Sequence, residues 1–202
     1  AIAALINESL KSTCVSYSKP VIDKSNVGVD ALKALTGEMG AGQVSTLVIL
    51  GGNPVYAAPA DLQFGSAMAK VANSIHLGLH ANETAESAKW HLPEAHYLET
   101  WGDARTTSGV PAIQQPMIDP LFPTVTELDV LAPFAGLTQE PYALVRETFN
   151  GLSKDASDAA FAAWLAEGVL AGSQYPAVGD MLLASPSGTF KAPELSSKSL
   201  EV

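Results

Sequence analysis

Apolar residues recur along the chain with two different periods. Ile2, Leu5 and Ile6 sit at helical spacing, which predicts a helix over residues 1–11 with one apolar face. "CVSYS" reads as a short strand, and residues 20–29 as a loop. Asp30 is placed to cap a second helix whose Leu32, Leu35 and Met39 share a face, and Gly40 suits its stop. "STLVIL" follows with no polar alternation, the pattern of a strand covered on both faces, so "TLVIL" is expected to be an interior strand.

Pro59 suits the first turn of a helix running to about Val71, with Asp61 near its positive end. "SIHLGLH" reads as the next strand, "NETAESAK" as a short helix, and "WHLPEAHYL" as the start of another strand. "VPAIQQPMI" reads as a further strand, and its prolines favour an edge or irregular position. This alternation predicts an α/β domain over residues 1–137, Rossmann-like, with a mostly parallel sheet flanked by helices. Residues 119–137 are Pro-rich and read as mostly loop. A helical C-terminal appendage over 138–173 follows, carrying Tyr142, Val145 and Phe149 on one face. Its second helix carries Phe161, Trp164, Leu165, Gly168 and Val169, with Asp155 as the cap candidate. Turn formers dominate 174–202, an expected tail or linker toward a following domain.

Composition narrows the function. The 202 residues are 47% hydrophobic and carry a formal net charge of -10, which argues for a packed core and against binding nucleic acid or anionic lipid. Cys14 is the single cysteine, so neither an intrachain disulfide nor a cysteine-held iron–sulfur cluster can form within this chain. No run of about 18 apolar residues predicts a membrane span, so no direct membrane insertion is expected. The start "AIAALINESLKS" has no signal-peptide pattern and reads as a chain taken up in mid-helix.

The side chains suited to chemistry are sparse. His76 and His80 have a zinc-like spacing only on a helix; on the predicted strand they lie roughly 13 Å apart. His91 and His96, an odd number apart, face opposite ways on a regular strand, so no metal site is expected. Cys14 lacks a basic partner nearer than Lys11 and reads as a buried or unreactive thiol. Glu99, Asp103 and Arg105 read as a salt-bridged surface loop, the alternative being a polar site at a strand end. No catalytic residue is assigned. Gly51, Gly52, Asn53 and Pro54 leave the predicted strand at the end where open α/β sheets bind ligands, but without a dinucleotide or P-loop glycine pattern. Taken alone, that loop suits a plain turn as well as a ligand.

The order of these segments is more specific than any one of them. "LVILGGNPVYAAPAD", "HLGLHANETAESAKWHLPEAHYLETWGDAR" and "SGVPAIQQPMI" together resemble the molybdopterin oxidoreductase superfamily. There a strand ends in a G-x-N-P loop and a second strand leads to a Glu-Thr-Ala helix. A third strand ends in Leu-Pro, with an acidic residue and a Gly-containing loop beyond. "WHLPEAHYLETWGDAR", "IQQPMIDPLF", "VRETF" and "FAAWLAEGVLAGS" look closer still to the iron–sulfur and molybdopterin-like large subunit of bacterial alternative complex III, a membrane-bound quinol:electron-acceptor oxidoreductase.

The resemblance implies a fragment whose role in its parent is scaffold and subunit contact. Its partners would be the other subunits of a respiratory complex on the periplasmic side of the inner membrane. It implies iron–sulfur clusters elsewhere in the parent, no redox centre or cofactor in this piece, and a molybdopterin-like domain that has lost its molybdopterin guanine dinucleotide. Were the pterin site retained, Gly51, Gly52, Asn53, Pro54, Glu83 and Thr84 would touch that cofactor. Two other readings are a domain of a true molybdenum enzyme and a generic nucleotide-binding Rossmann-like domain.

Overall fold

The computed structural model describes residues 2–14, 16–21 and 26–178. The predicted tail beyond residue 178 lies outside them. Two compact units result. One holds Ala1–Lys19 and Tyr175–Val202, the other Pro20–Gln174. In the first, α1 (Ile2–Ser9) forms where helical spacing predicts it. The "CVSYS" strand shortens to β1 (Tyr17–Ser18), which pairs antiparallel with β7 (Ala177–Val178). Cys14 is exposed rather than buried.

The second unit begins with α2 (Val29–Gly40). Asp30 falls inside its first turn, not at the cap, where its charge favours the positive helix end. Gly40 is the last helical residue; the left-handed residue that ends the helix is Gly42, φ 72°, whose N–H reaches the Met39 carbonyl.

β2 (Thr46–Leu50), β3 (Asn73–Gly78) and β4 (Trp90–Pro93) form a parallel sheet in that order. The interior strand is therefore β3, and β2 is an edge. "TLVIL" buries Leu47, half-buries Val48, Ile49 and Leu50, and exposes Thr46. Leu47 and Ile49 pack into the core under α2 and α4, and the unbroken apolar run carries no information about neighbours in the sheet plane.

The single helix expected from Pro59 to Val71 is broken into two pieces, a 3₁₀ turn (Ala60–Leu62) and α4 (Phe64–Met68), and a short α3 (Pro54–Ala57) precedes Pro59. Pro59 forces Ala58 into extended geometry at ψ 149°, and Gln63 turns left-handed at φ 46°. α4 and α2 then cover one face of the sheet, burying Met39, Leu47, Phe64, Ala67, Met68 and Val71 together. Short α5 (Glu83–Ser87) joins β3 to β4 as predicted.

The parallel alternation stops at β4. "VPAIQ" does not join that sheet: β6 (Pro111–Gln114) pairs antiparallel with β5 (Gly102–Arg105), a strand within the stretch read as a polar loop. Its turn closes through the Thr106 N–H to the Val110 carbonyl, with Gly109 at φ 84°. Residues 119–137 are not all loop, because α6 (Glu127–Leu131) forms under a capping box from Thr126 and Asp129.

The helical appendage is α7 (Pro141–Leu152) and α8 (Asp158–Glu167), the latter capped by Ser157 rather than Asp155 and ended by Gly168 at φ 74°. Asp155 sits one step back, accepting from the Ser157 N–H at 2.9 Å. Val145, Phe149, Phe161 and Trp164 make a second core, against which Trp101 and Ile113 of the hairpin region pack. The chain leaving α8 runs along β6, with Leu170 N–H on the Pro111 carbonyl. Arg146 lies 4.5 Å from the Phe161 ring centre and 2.8 Å from Asp158.

Phe149, fully buried between the rings of Phe161 and Trp164, anchors this second core. Phe149→Ala is expected to lower stability by about 3–5 kcal/mol, read by denaturant unfolding.

Candidate functional site

At the C-terminal end of the parallel sheet the chain leaves β2 through two consecutive glycines, Gly51 at φ 66° and Gly52 at φ 71°. Only glycine enters that region without strain, and two in a row turn the chain sharply off the strand. The Gly51 N–H still bonds the Leu77 carbonyl at 2.8 Å, so the exit begins within the ladder. Asn53 follows, and Pro54 opens α3 at a position where a missing N–H costs nothing.

The structure brings the six predicted site residues together and bonds Asn53 to Glu83 and Thr84. Asn53 Oδ1 accepts from the Thr84 hydroxyl at 2.8 Å and the Thr84 N–H at 3.2 Å. Asn53 Nδ2 donates to Glu83 Oε2 at 2.5 Å. Thr84 Oγ1, fully buried, accepts from the Val55 N–H at 3.0 Å. Asn82 caps α5 through the Ala85 N–H at 3.0 Å and donates its amide to the Gly52 carbonyl at 3.3 Å. The bond from Asn53 holds the exposed Glu83 carboxyl below its ordinary range, with the backbone N–H of Glu83 itself helping, so it is anionic at neutral pH.

One pairing escaped the reading of single strands. His76 on β3 and His91 on β4 are register partners, with their Nδ1 atoms 3.1 Å apart. Their ring planes lie 23° apart with centroids at 5.2 Å, so the rings meet edge to edge through the two nitrogens. His76 Nε2 lies 3.1 Å from the Gly52 carbonyl oxygen. Gly78 makes room for the buried ring: a Cβ there would sit 2.7 Å from His76 Cε1. A signal existed. "HLG" ends one strand and "HLP" the next, and aligning the strand ends aligns the histidines.

The other polar candidates lie apart. His80 lines the crevice, while His96 Nδ1 accepts from the Leu98 N–H at 3.3 Å. The two Glu99 carboxylate oxygens accept from the N–H groups of His96 and Leu121 at 3.0 and 3.1 Å. Asp103 stands by Thr148 with its carboxyl raised, desolvation first, and Arg105 donates to the Gly109 carbonyl at 2.8 Å. No group of three or more His, Cys, Asp or Glu among the described residues is arranged to hold a metal ion.

Residues 51–53 and 78–80, with Asn82 and Glu94, line a crevice of about 280 Å³. A neighbouring cleft of about 460 Å³ shares Leu79 and Glu94 with it and adds Asp103 and Glu127. Desolvation and the nearby Glu127 raise the Glu94 carboxyl. A pterin guanine dinucleotide brings a pyrophosphate. Neither Lys nor Arg lines this crevice to meet that charge.

No family model matches the chain, and no curated protein matches its sequence. Among solved structures the chain is similar to acetylene hydratase from Pelobacter acetylenicus, at 18% identity and a TM-score of 0.45. The match covers 51% of this chain and 15% of that one. No helix among the described residues is long and apolar enough to cross a membrane.

Burial holds the His76 imidazole below its ordinary value of 6.5, the Gly52 carbonyl pulling weakly the other way and His91 reinforcing the fall. Below pH 6.5 the unfolded chain therefore takes up a proton that the folded chain refuses. Stability is full above that pH and falls on acidification, by up to about 1.4 kcal/mol per pH unit until the folded-state pKa is reached. Unfolding of wild type and His76→Gln at pH 7.5 and 5.5 checks this; the variant is expected to show the smaller pH dependence.

Proposed function

We propose that this chain is a Rossmann-like scaffold domain of the molybdopterin-oxidoreductase type, with a structural Gly51–Pro54 loop that binds no cofactor. Within that reading it belongs to the iron–sulfur large subunit of a quinol-oxidising complex of the alternative complex III kind, on the periplasmic side of the membrane. Clusters elsewhere in the subunit carry the electrons, and this domain contacts other subunits.

The segment order in the sequence supports the family. One observation supports the scaffold role: the side chains suited to a ligand are consumed by each other. Asn53 uses its carbonyl oxygen on Thr84 and its amide on Glu83, while Thr84 serves Val55. The Gly52 carbonyl is taken up by Asn82 and His76. A ligand bound here would have to displace bonds already made, beside the carboxylates of Glu83 and Glu94.

Asn53→Ala in the 202-residue chain is expected to cost about 1–3 kcal/mol, because it strands the buried Thr84 hydroxyl and N–H. The same substitution in an assembled complex carrying this domain is expected to leave quinol oxidation nearly unchanged. Guanine nucleotides are expected to give no thermal shift, since a real site stabilises by RT ln(1 + [L]/Kd). Lost turnover in a normally stable, normally assembled complex, or a saturable shift, overturns the reading.

A further inference from the structure

Three facts fix the protons on the His76–His91 pair. The Gly52 carbonyl can only accept, so His76 Nε2, 3.1 Å away, carries a hydrogen. A neutral His76 then has a bare Nδ1. The nitrogen facing it at 3.1 Å, His91 Nδ1, must donate, which leaves His91 Nε2 as the bare, basic end. The result is a directed chain, from His91 Nδ1–H to His76 Nδ1 and from His76 Nε2–H to the Gly52 oxygen. It is held in place by strand register at one end and by the missing Cβ of Gly78 at the other.

Such a chain accepts one proton readily and a second only by breaking. A proton on His91 Nε2 leaves both donors where they are and strengthens them, because a charged donor polarises the bond behind it. His91 is half-buried, whereas His76 is fully buried. A proton on His76 Nδ1 would set two N–H groups against each other across 3.1 Å. Two other titratable groups, His80 and Glu94, line the crevice beside Gly52. β2 presents Ile49 at this register position, and on β4 Lys89 reaches away to the Ala72 carbonyl. On α5, Glu83 is engaged by Asn53 and Glu86 is exposed. His91 is the titratable group whose charge acts on His76.

We propose that His76 and His91 form a tautomer-locked relay that transmits the protonation of His91 to the Gly51–Gly52 loop, gripping the Gly52 carbonyl more firmly when His91 is charged. The relay sets the orientation of the loop that borders the crevice. It is independent of whether that crevice belongs to a scaffold or to a live ligand site.

Imidazole ¹⁵N NMR on the full 202-residue chain, titrated from pH 8 to 4, tests it directly. The expected result at pH 8 is His76 as the Nε2–H tautomer and His91 as the Nδ1–H tautomer. On acidification His91 takes the first proton while His76 stays neutral, and the Gly52 carbonyl ¹³C resonance moves in step with His91. His91→Phe is expected to abolish the Gly52 step and speed Gly51 exchange up to about tenfold. His91→Gln, which can still donate, restores protection without the pH step. His76 in the Nδ1–H tautomer, His76 titrating before His91, or a Gly52 resonance indifferent to His91 overturns the proposal. If His91→Phe does not fold, the wild-type titration alone decides.

Discussion

Asn53 ties the chain leaving β2 to the helix that follows β3, and the ligand end of the sheet depends on that tie. The 2.8 Å bond from the buried Thr84 hydroxyl spans 31 residues of sequence. A glycine pair can turn a strand sharply, but it cannot by itself say where the turn points. Asn53 supplies the direction, Thr84 relays it to the Val55 N–H at the start of α3, and Asn82 and His76 seize the Gly52 carbonyl from the other side. The loop is thus determined by side chains from β3 and α5 as much as by its own residues.

That over-determination bears on function. A backbone loop that binds phosphate keeps N–H groups free and a positive field around them. Here α3 has four residues and begins with proline, and the nearest charges are the carboxylates of Glu83 and Glu94. The chemistry left at the sheet end is internal: a polar clamp and a buried histidine pair. These contacts lock two strand–helix crossings together.

The unit also carries two separate cores. The parallel sheet rests on α2 and α4, while the hairpin β5–β6 rests on α7 and α8 through Trp101 and Ile113. Aromatic packing does most of the work in the second, with Phe149 close to parallel with Trp164 and edge-on to Phe161.

How much of this was legible differs element by element. The sequence alone determined the helix–strand alternation through β4, the apolar faces of α2 and α7, and the gathering place of residues 51–54, because periodicity and turn chemistry are local. It did not reveal that the helix expected from Pro59 splits into a 3₁₀ turn and α4, since only core packing by Phe64, Ala67 and Met68 decides which part stays helical. It placed "TLVIL" inside the sheet when β2 lies at an edge, because burial of both faces and pairing on both sides are separate properties. It treated four histidines one strand at a time, and only parallel register set two of them nitrogen to nitrogen. Contacts between residues distant in sequence leave no period to read. Tertiary structure alone decided that Asn53, Thr84, His76 and His91 spend their hydrogen bonds on holding the fold.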